Sequence, residues 1–331
     1  MTASPATLLG KDNRDKPAVA WKQRLATAVA DSFLLRKGKK IHLENLNDPY
    51  LGNNLWLKFL ANLYLILADY GTGSFPPKRL LREESYARER AQIQSVKIKD
   101  TVPLIDEIMS KPWWDKRLFP QHSRELIRMI ESIESSGVRV PARILELGCG
   151  MGWMSEILAL RGYDVTGTSI SEFEIEHAKL RIDSLKAKKL NRSLQFIATP
   201  MEEVHRHVCN ASYDAAFCYE ALHHVYDWRE AFESADKCLR PGGWLFLFGE
   251  PSALHTYICW RTSKIWRTEE IGFRGKELRR QLEKMGYRNI RIQRPVWGEG
   301  TRALLKRCLP FTIAAGSLVS RSYWIRAQRP G

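Results

Sequence analysis

Between Arg143 and Ser155 the chain reads RILELGCGMGWMS, an apolar run of strand length that breaks into three glycines spaced two apart. Such a run must turn sharply and open into a helix. Without a Cβ at the turn, backbone N–H groups and the helix N-terminus can approach a ligand closely. The pattern then recurs downstream. Short strand candidates RILEL (143–147), DVTGT (164–168), LQFIA (194–198), YDAAFCY (213–219) and GWLFLFG (243–249) are separated by helical stretches. These helices fall after Gly152, after Ser171, near Met201 to His207 and from Asp227 to Leu239, an alternation that builds parallel βαβ units. LRPGG reads as a turn into the fifth strand. Beyond it GKELRRQLEKMG predicts an amphipathic helix, and YRNIRIQR and SRSYWIRAQR alternate as strands. The expected fold is α/β, a doubly wound and mostly parallel sheet.

Residues 1–140 read differently, as a helical extension with apolar periodicity in AWKQRLATAVADSFLL and HSRELIRMIESIESS. Breaks fall at YGTGSFPPKR and KPWWDK. The N-terminus lacks the apolar core and cleavage site of a signal peptide. LWLKFLANLYLILA (55–68) carries Lys58 and Asn62 and falls short of the ~20 residues of a membrane span, which predicts a buried or interfacial helix. The expected division is a helical region at 1–140, serving as substrate cap or partner surface, and a core domain at 141–331. Insertions at about 252–273 and 295–320 would face the substrate.

Six scattered cysteines form no C-x-x-C pair and no Cys/His cluster. A disulfide framework and a structural metal are therefore not expected, and a reducing, cytoplasmic setting is. The net charge of +15 is unevenly placed. Residues 141–250 hold 12 Lys and Arg against 16 Asp and Glu, whereas residues 261–331 hold 17 against 5. Basic flanks favour an anionic partner outside the core, whether a phosphate-bearing substrate, a membrane surface or a nucleic acid, unless they only solvate helices.

The glycine spacing narrows the ligand. A dinucleotide turn wants G-x-G-x-x-G, but this turn reads Glu146-x-Gly148-x-Gly150-x-Gly152. A carboxylate two residues before the first glycine repels a pyrophosphate and suits a cationic or amino-bearing ligand. ELGCGMG resembles the first motif of class I S-adenosylmethionine-dependent methyltransferases. YDAAFCYEALHHVYDWREAFESADKCLRPGGWLFLFGEP is similar to that family's fourth-to-fifth-strand region. The resemblance spans about residues 141–294, extends to 328 if the last strand is counted, and implies a seven-stranded Rossmann-like sheet whose last strand, near 321–328, runs antiparallel.

That resemblance also assigns residues. Gly148, Cys149, Gly150 and Gly152 would line the amino acid part of S-adenosylmethionine, with Glu146 holding its amino group directly or through water. The second strand lacks the usual ribose-binding Asp or Glu; GTSISEFE is instead similar to the cyclopropane fatty acid synthase branch. Ser169 and Glu174 would then share the ribose. The competing reading makes Ser171 a helix cap and Glu174 the other half of a capping box. Around adenine the candidates are Thr199, Pro200, Met201 and Glu202, with Tyr219 beyond them.

The loop after the fourth strand would border the transferred methyl. It holds Glu220, His223 and His224, and the resemblance makes His224 the group that takes a proton from the acceptor; packing roles for both histidines stand beside this. In the insertion, Tyr257, Trp260, Trp266 and Phe273 would line a pocket and Arg261, Lys264 and Arg267 meet an anion, or the aromatics simply pack a cap. LPFTIAAGSLV could rest on a membrane surface. The resulting expectation is methyl transfer to a small-molecule or lipid acceptor, an anionic one included. The alternatives are an RNA methyltransferase and a non-catalytic cofactor-binding partner subunit.

Overall fold

In the computed structural model, residues 24, 32–48, 51, 54–75, 80–95, 97–98, 102–103, 109, 111, 119–187, 189, 193–294, 311–314, 317–320 and 322–331 are described. The chain forms two compact units, Met1–Arg79 and Leu80–Gly331. The helical segment read as 1–140 thus straddles that division. The cause is packing: Met129 and Ile133 of the later helical part share a core with Ile144, Met154 and Leu158.

The first unit pairs two helices, α1 (Phe33–Glu44) and α2 (Leu55–Thr72). Ser32 caps α1, its hydroxyl accepting from the Leu35 N–H, so the helix read in 20–35 starts afresh at Phe33; nearly all of the segment before Ser32 lies outside the described residues. Gly38 permits the close approach of the pair, since a Cβ there would lie 2.3 Å from the Leu60 carbonyl oxygen. Asn54 caps α2, and Gly73 ends it at φ 74°, as a left-handed C-cap does. No helix among the described residues is long and apolar enough to cross a membrane.

The second unit opens with α3 (Arg82–Ser95), a two-stranded pairing of Lys97–Ile98 with Val102–Pro103, and α4 (Phe119–Ser135). The sheet follows: β1 (Arg143–Leu147), β2 (Asp164–Ser169), β3 (Leu194–Ala198), β4 (Tyr213–Tyr219), β5 (Leu239–Pro251), β6 (Arg288–Gln293) and β7 (Ser322–Gln328). Their spatial order is β3-β2-β1-β4-β5-β7-β6. β1 to β5 pair in parallel and β7 runs antiparallel between β5 and β6. Between the strands lie α5 (Trp153–Arg161), α6 (Glu172–Ala187), α7 (Trp228–Cys238), the short α8 (His255–Ile258) and α9 (Trp260–Trp266), and α10 (Gly275–Lys284).

Both faces of the sheet are covered, so the central strands are apolar throughout. Ile144, Val165, Ala215, Phe217 and Phe246 face one core, with α5 and α6. Leu145, Ala216, Cys218 and Leu247 face the other, with α7 and α10. One turn reading needs correction. LRPGG lies inside β5 as an excursion: Leu239 pairs with Tyr213 and Trp244 with Ala215, so β5 spends five residues where β4 spends two. Within LPFTIAAGSLV, Phe311–Ala314 pairs with Ser317–Ser320, so this apolar stretch is a β-ribbon. Of KPWWDK only Lys111 is described, and residues 295–310 lie outside the described residues.

Candidate active site

The parallel strands end together at one edge, and the crevice there is where an open α/β sheet binds its ligand. On the β1 side the chain turns through Gly148 (φ 74°), Gly150 (φ 51°) and Gly152 (φ 74°). These dihedrals are costly for any residue with a Cβ. The glycines nonetheless do different work. A Cβ on Gly148 would lie 2.5 Å from both Ala221 Cβ and Met201 Cε, and one on Gly152 would lie 2.4 Å from the Phe196 ring. A Cβ on Gly150 would meet only Glu174 Oε1, at 3.7 Å. Gly150 therefore faces the acidic cleft, whereas Gly152 lets the turn close over Phe196.

Glu146 is buried beneath this turn, where Ser155 Oγ donates to its Oε2. Burial pushes its carboxyl up to about 8. Cys149 is buried as well; its N–H donates to the Thr168 carbonyl at 2.7 Å, tying the turn to β2.

At the tip of β2 the capping reading of Glu174 is met in part. Ser171 Oγ accepts from the Glu174 N–H at 3.3 Å, the capping half of S-x-x-E. The reciprocal half is absent, because Ser169 Oγ takes the Ser171 N–H at 3.2 Å. The Glu174 carboxylate instead accepts from Ser169 Oγ and faces Gly150. After β3, Thr199 is buried with its N–H on the Ser169 carbonyl at 2.7 Å, Pro200 precedes the 3-10 turn Met201–Arg206, and Met201 reaches under Gly148. Glu202 is turned away and accepts from the Asp227 N–H at 2.9 Å. Its part is to fix the loop before α7.

On the β4 side, Tyr219 donates its hydroxyl to Glu125 Oε2 at 2.7 Å and stacks edge-on against Trp153. Glu220 is exposed and stands at φ 48°.

His223 and His224 follow in a 3-10 turn, their ring centres 4.1 Å apart. Glu250, fully buried at the end of β5, accepts from the N–H groups of Ala221 and Leu222 at 3.0 Å each, and its Oε2 lies 3.1 Å from His223 Nδ1. Around them sit Glu270 and His255 from the insertion and Glu89 from α3. His255 Nε2 lies 3.0 Å from Glu270 Oε2, and His224 Nδ1 lies 3.7 Å from Glu89 Oε2 and 3.8 Å from Glu270 Oε1.

Charge sorts this cluster. Burial opposes ionisation of Glu270, yet the three surrounding histidines hold it down at about 2. Burial, helped by the carboxylates of Glu270, Glu269 and Glu174 and opposed by His224, carries Glu89 up to about 7. Burial and the neighbouring His224 lower His223, whereas the carboxylates of Glu270, Glu89 and Glu250 overcome burial and raise His224.

Sequence reasoning missed Glu89, Glu125, Glu250, His255 and Glu270, which come from four separate stretches and share no motif. What it found in the insertion does other work. Trp260 and Phe273 are buried, Phe273 against Trp228, and Arg261 is 1% exposed. The Arg267 carbonyl accepts from Arg88. The insertion brings His255 and Glu270 to the site.

With this geometry in hand, comparison with known proteins is informative. Residues 145–247 match the family described as Methyltransferase domain. Residues 145–247, from β1 into β5, thus form a methyltransferase domain, and S-adenosylmethionine is the cofactor of such domains. Similar curated proteins include the ubiquinone biosynthesis O-methyltransferases of Bordetella avium (32% identical over 136 residues, 40% of this chain and 54% of the relative) and Vibrio cholerae (30% over 142 residues, 42% and 56%). The chain spans about half the length of these relatives. Among solved structures, magnesium protoporphyrin IX methyltransferase from Synechocystis PCC 6803 with bound SAH aligns at TM-score 0.48 and 15% identity, over 75% of this chain and 95% of that one. Phosphoethanolamine N-methyltransferase 2 of Haemonchus contortus aligns at 0.48 and 14%, over 63% and 53%.

The residues present fit such a cofactor. The turn opens at Gly150 onto the Glu174 carboxylate, and Glu146 lies beneath it. A sulfonium ligand with an ammonium group matches two carboxylates at a glycine turn, and a pyrophosphate does not.

Proposed function

We propose that the protein transfers a methyl group from S-adenosylmethionine to a hydroxyl oxygen of a small-molecule acceptor. The observation that carries this reading is the juxtaposition, at one sheet edge, of the glycine turn with its carboxylates and the histidine–carboxylate cluster of the next loop. The cofactor supplies an activated methyl on a cationic sulfur. On its side, Glu174 with Ser169 would hold the ribose hydroxyls, since a carboxylate accepts two hydrogen bonds. The backbone of 148–152 and Glu146 would hold the amino acid end. Thr199, Pro200 and Met201 would border the adenine.

On the acceptor side, the chain must align the hydroxyl with the methyl and accept its proton. Alignment at near-attack distance contributes the larger share, and a positioned base contributes about 10²–10⁴-fold. His224 is the most open member of the cluster and is flanked by Glu89 and Glu270, so we assign it to the acceptor's proton. The names of the similar O-methyltransferases support an oxygen acceptor. The ring of carboxylates around His224 would repel an anionic one. Helices α3 and α4, which bring Glu89 and Glu125, would act as the cap.

The test is incubation of the purified full chain with methyl-labelled cofactor and fractionated extract. Label in a small-molecule fraction is the expected result. Label in RNA would transfer the assignment to a nucleic-acid methyltransferase, and tight cofactor binding without turnover on any fraction would make the protein a binding subunit.

A further inference from the structure

We propose that His223, His224 and Glu270 form a binding site for a single divalent transition-metal ion of the zinc type, with Glu89 at its edge. One nitrogen from each ring and a carboxylate oxygen of Glu270 all lie within 4.8 Å of one another. His223 Nε2 is 3.8 Å from Glu270 Oε2, and His224 Nδ1 is 3.8 Å from Glu270 Oε1. Donors about 2.1 Å from one ion stand about 3.0–3.5 Å apart in tetrahedral or octahedral arrangements, so the 3.8 Å pairs must close by a few tenths of an ångström and the widest pair, at up to 4.8 Å, by more, through rotation of the rings and the carboxylate about their side-chain bonds.

Proton sharing accounts for only part of the cluster. The contacts of His223 with Glu250 (3.1 Å) and of His255 with Glu270 (3.0 Å) have hydrogen-bond lengths. The contacts of His224 Nδ1 with Glu89 and Glu270, at 3.7 and 3.8 Å, do not, and at such distances no hydrogen bond is formed. His224 Nδ1 and Glu89 Oε1 are both buried with no hydrogen-bond partner among the described residues. Buried polar atoms seldom stay unpaired. A cation among them would satisfy several at once.

The outer contacts are those of a built site. Glu250 accepts two backbone N–H bonds and binds His223 through Nδ1, leaving Nε2 for the ion. Such a carboxylate fixes the tautomer and orientation of a ligating histidine. His255 does the same for Glu270 Oε2. The two supporting segments are stitched together by the Ile271 N–H on the His223 carbonyl (3.1 Å), and by the Phe273 N–H on the Pro251 carbonyl (2.9 Å). Two imidazoles and a carboxylate favour zinc-type ions over magnesium, which prefers oxygen.

An imidazole held by the ion through Nδ1 keeps its proton on Nε2, so His224 takes the acceptor's proton only in the metal-free protein; ion binding requires neither cofactor nor acceptor, and this proposal and the transferase reading can fail separately. The experiment uses tag-free, chelator-treated full-length protein titrated with Zn²⁺, Co²⁺ and Mg²⁺ separately, followed by calorimetry and, for Co²⁺, visible absorption. One equivalent of Zn²⁺ should bind, Co²⁺ should show an imidazole-ligated d–d spectrum, and Mg²⁺ should bind at least ~10-fold more weakly. Glu270→Gln, nearly isosteric, should lose about 100-fold in Zn²⁺ affinity, and Glu250→Gln about 10–100-fold. Binding that is unchanged in Glu270→Gln, no stoichiometric Zn²⁺ binding in the folded wild type, or Mg²⁺ binding as tight as Zn²⁺ would each overturn the site.

Discussion

The cofactor half of the cleft and the acceptor half are assembled from different kinds of sequence. The first comes from three neighbouring strand tips, β1, β2 and β3, with its carboxylates between Glu146 and Glu174. The second draws Glu89 from α3, Glu125 from α4, His223 and His224 from the loop after β4, Glu250 from β5, and His255 and Glu270 from an insertion. A local motif specifies backbone conformation and tolerates little change; a dispersed cluster specifies charge and depends on the whole unit being folded.

Four changes would break or sharpen this contrast. The largest effect is expected from His224→Ala, which should cut kcat by about 10²–10⁴ while leaving cofactor affinity within about 3-fold; a matching loss of affinity in calorimetry would merge the two halves. Next, Gly148→Val places a branched side chain at φ 74° against Ala221 and Met201 and should weaken cofactor binding by about 100-fold or more, since a forced contact of this kind costs a few kcal/mol. Circular dichroism would verify that the variant is folded.

Third, Glu174→Ala should lower cofactor affinity by about 10-fold, the worth of a charge-assisted hydrogen bond, with the melting temperature little altered. Affinity equal to wild type would return Glu174 to a capping role only.

The last change, at Glu146, is read in stability and not in binding or turnover. Its folded value of about 8 lies above the unfolded 4.5, so its contribution to stability is present below about 4.5 and is lost as pH rises through about 8. Urea unfolding of wild type and Glu146→Gln between pH 5 and 8 should show wild type losing ground, by at most ~1.4 kcal/mol per pH unit. Parallel pH profiles would place the proton elsewhere.

The same contrast explains what could be read in the sequence. Strand alternation and the glycine turn are local, so the five parallel strands were legible from residues near in sequence, whereas the antiparallel direction of β7 and the joint placement of Ser169 and Glu174 came from the family resemblance. Glu89 was not, because REESYARERAQIQS is a charged helix whose one buried, functional carboxylate looks like its solvated neighbours. Arg261 and Trp260 misled in the opposite sense: a basic, aromatic segment suggested an anion pocket, yet both side chains are buried. LRPGG has turn composition and still belongs to β5, since a strand can swallow a turn where its neighbour runs shorter.

The stitch between Ile271 and His223 joins main chain to main chain, and so is blind to which side chains flank it. A change of side chain within residues 252–273 can therefore leave the segment's main-chain seat on the sheet intact, a replaceable fitting mounted on a permanent bracket.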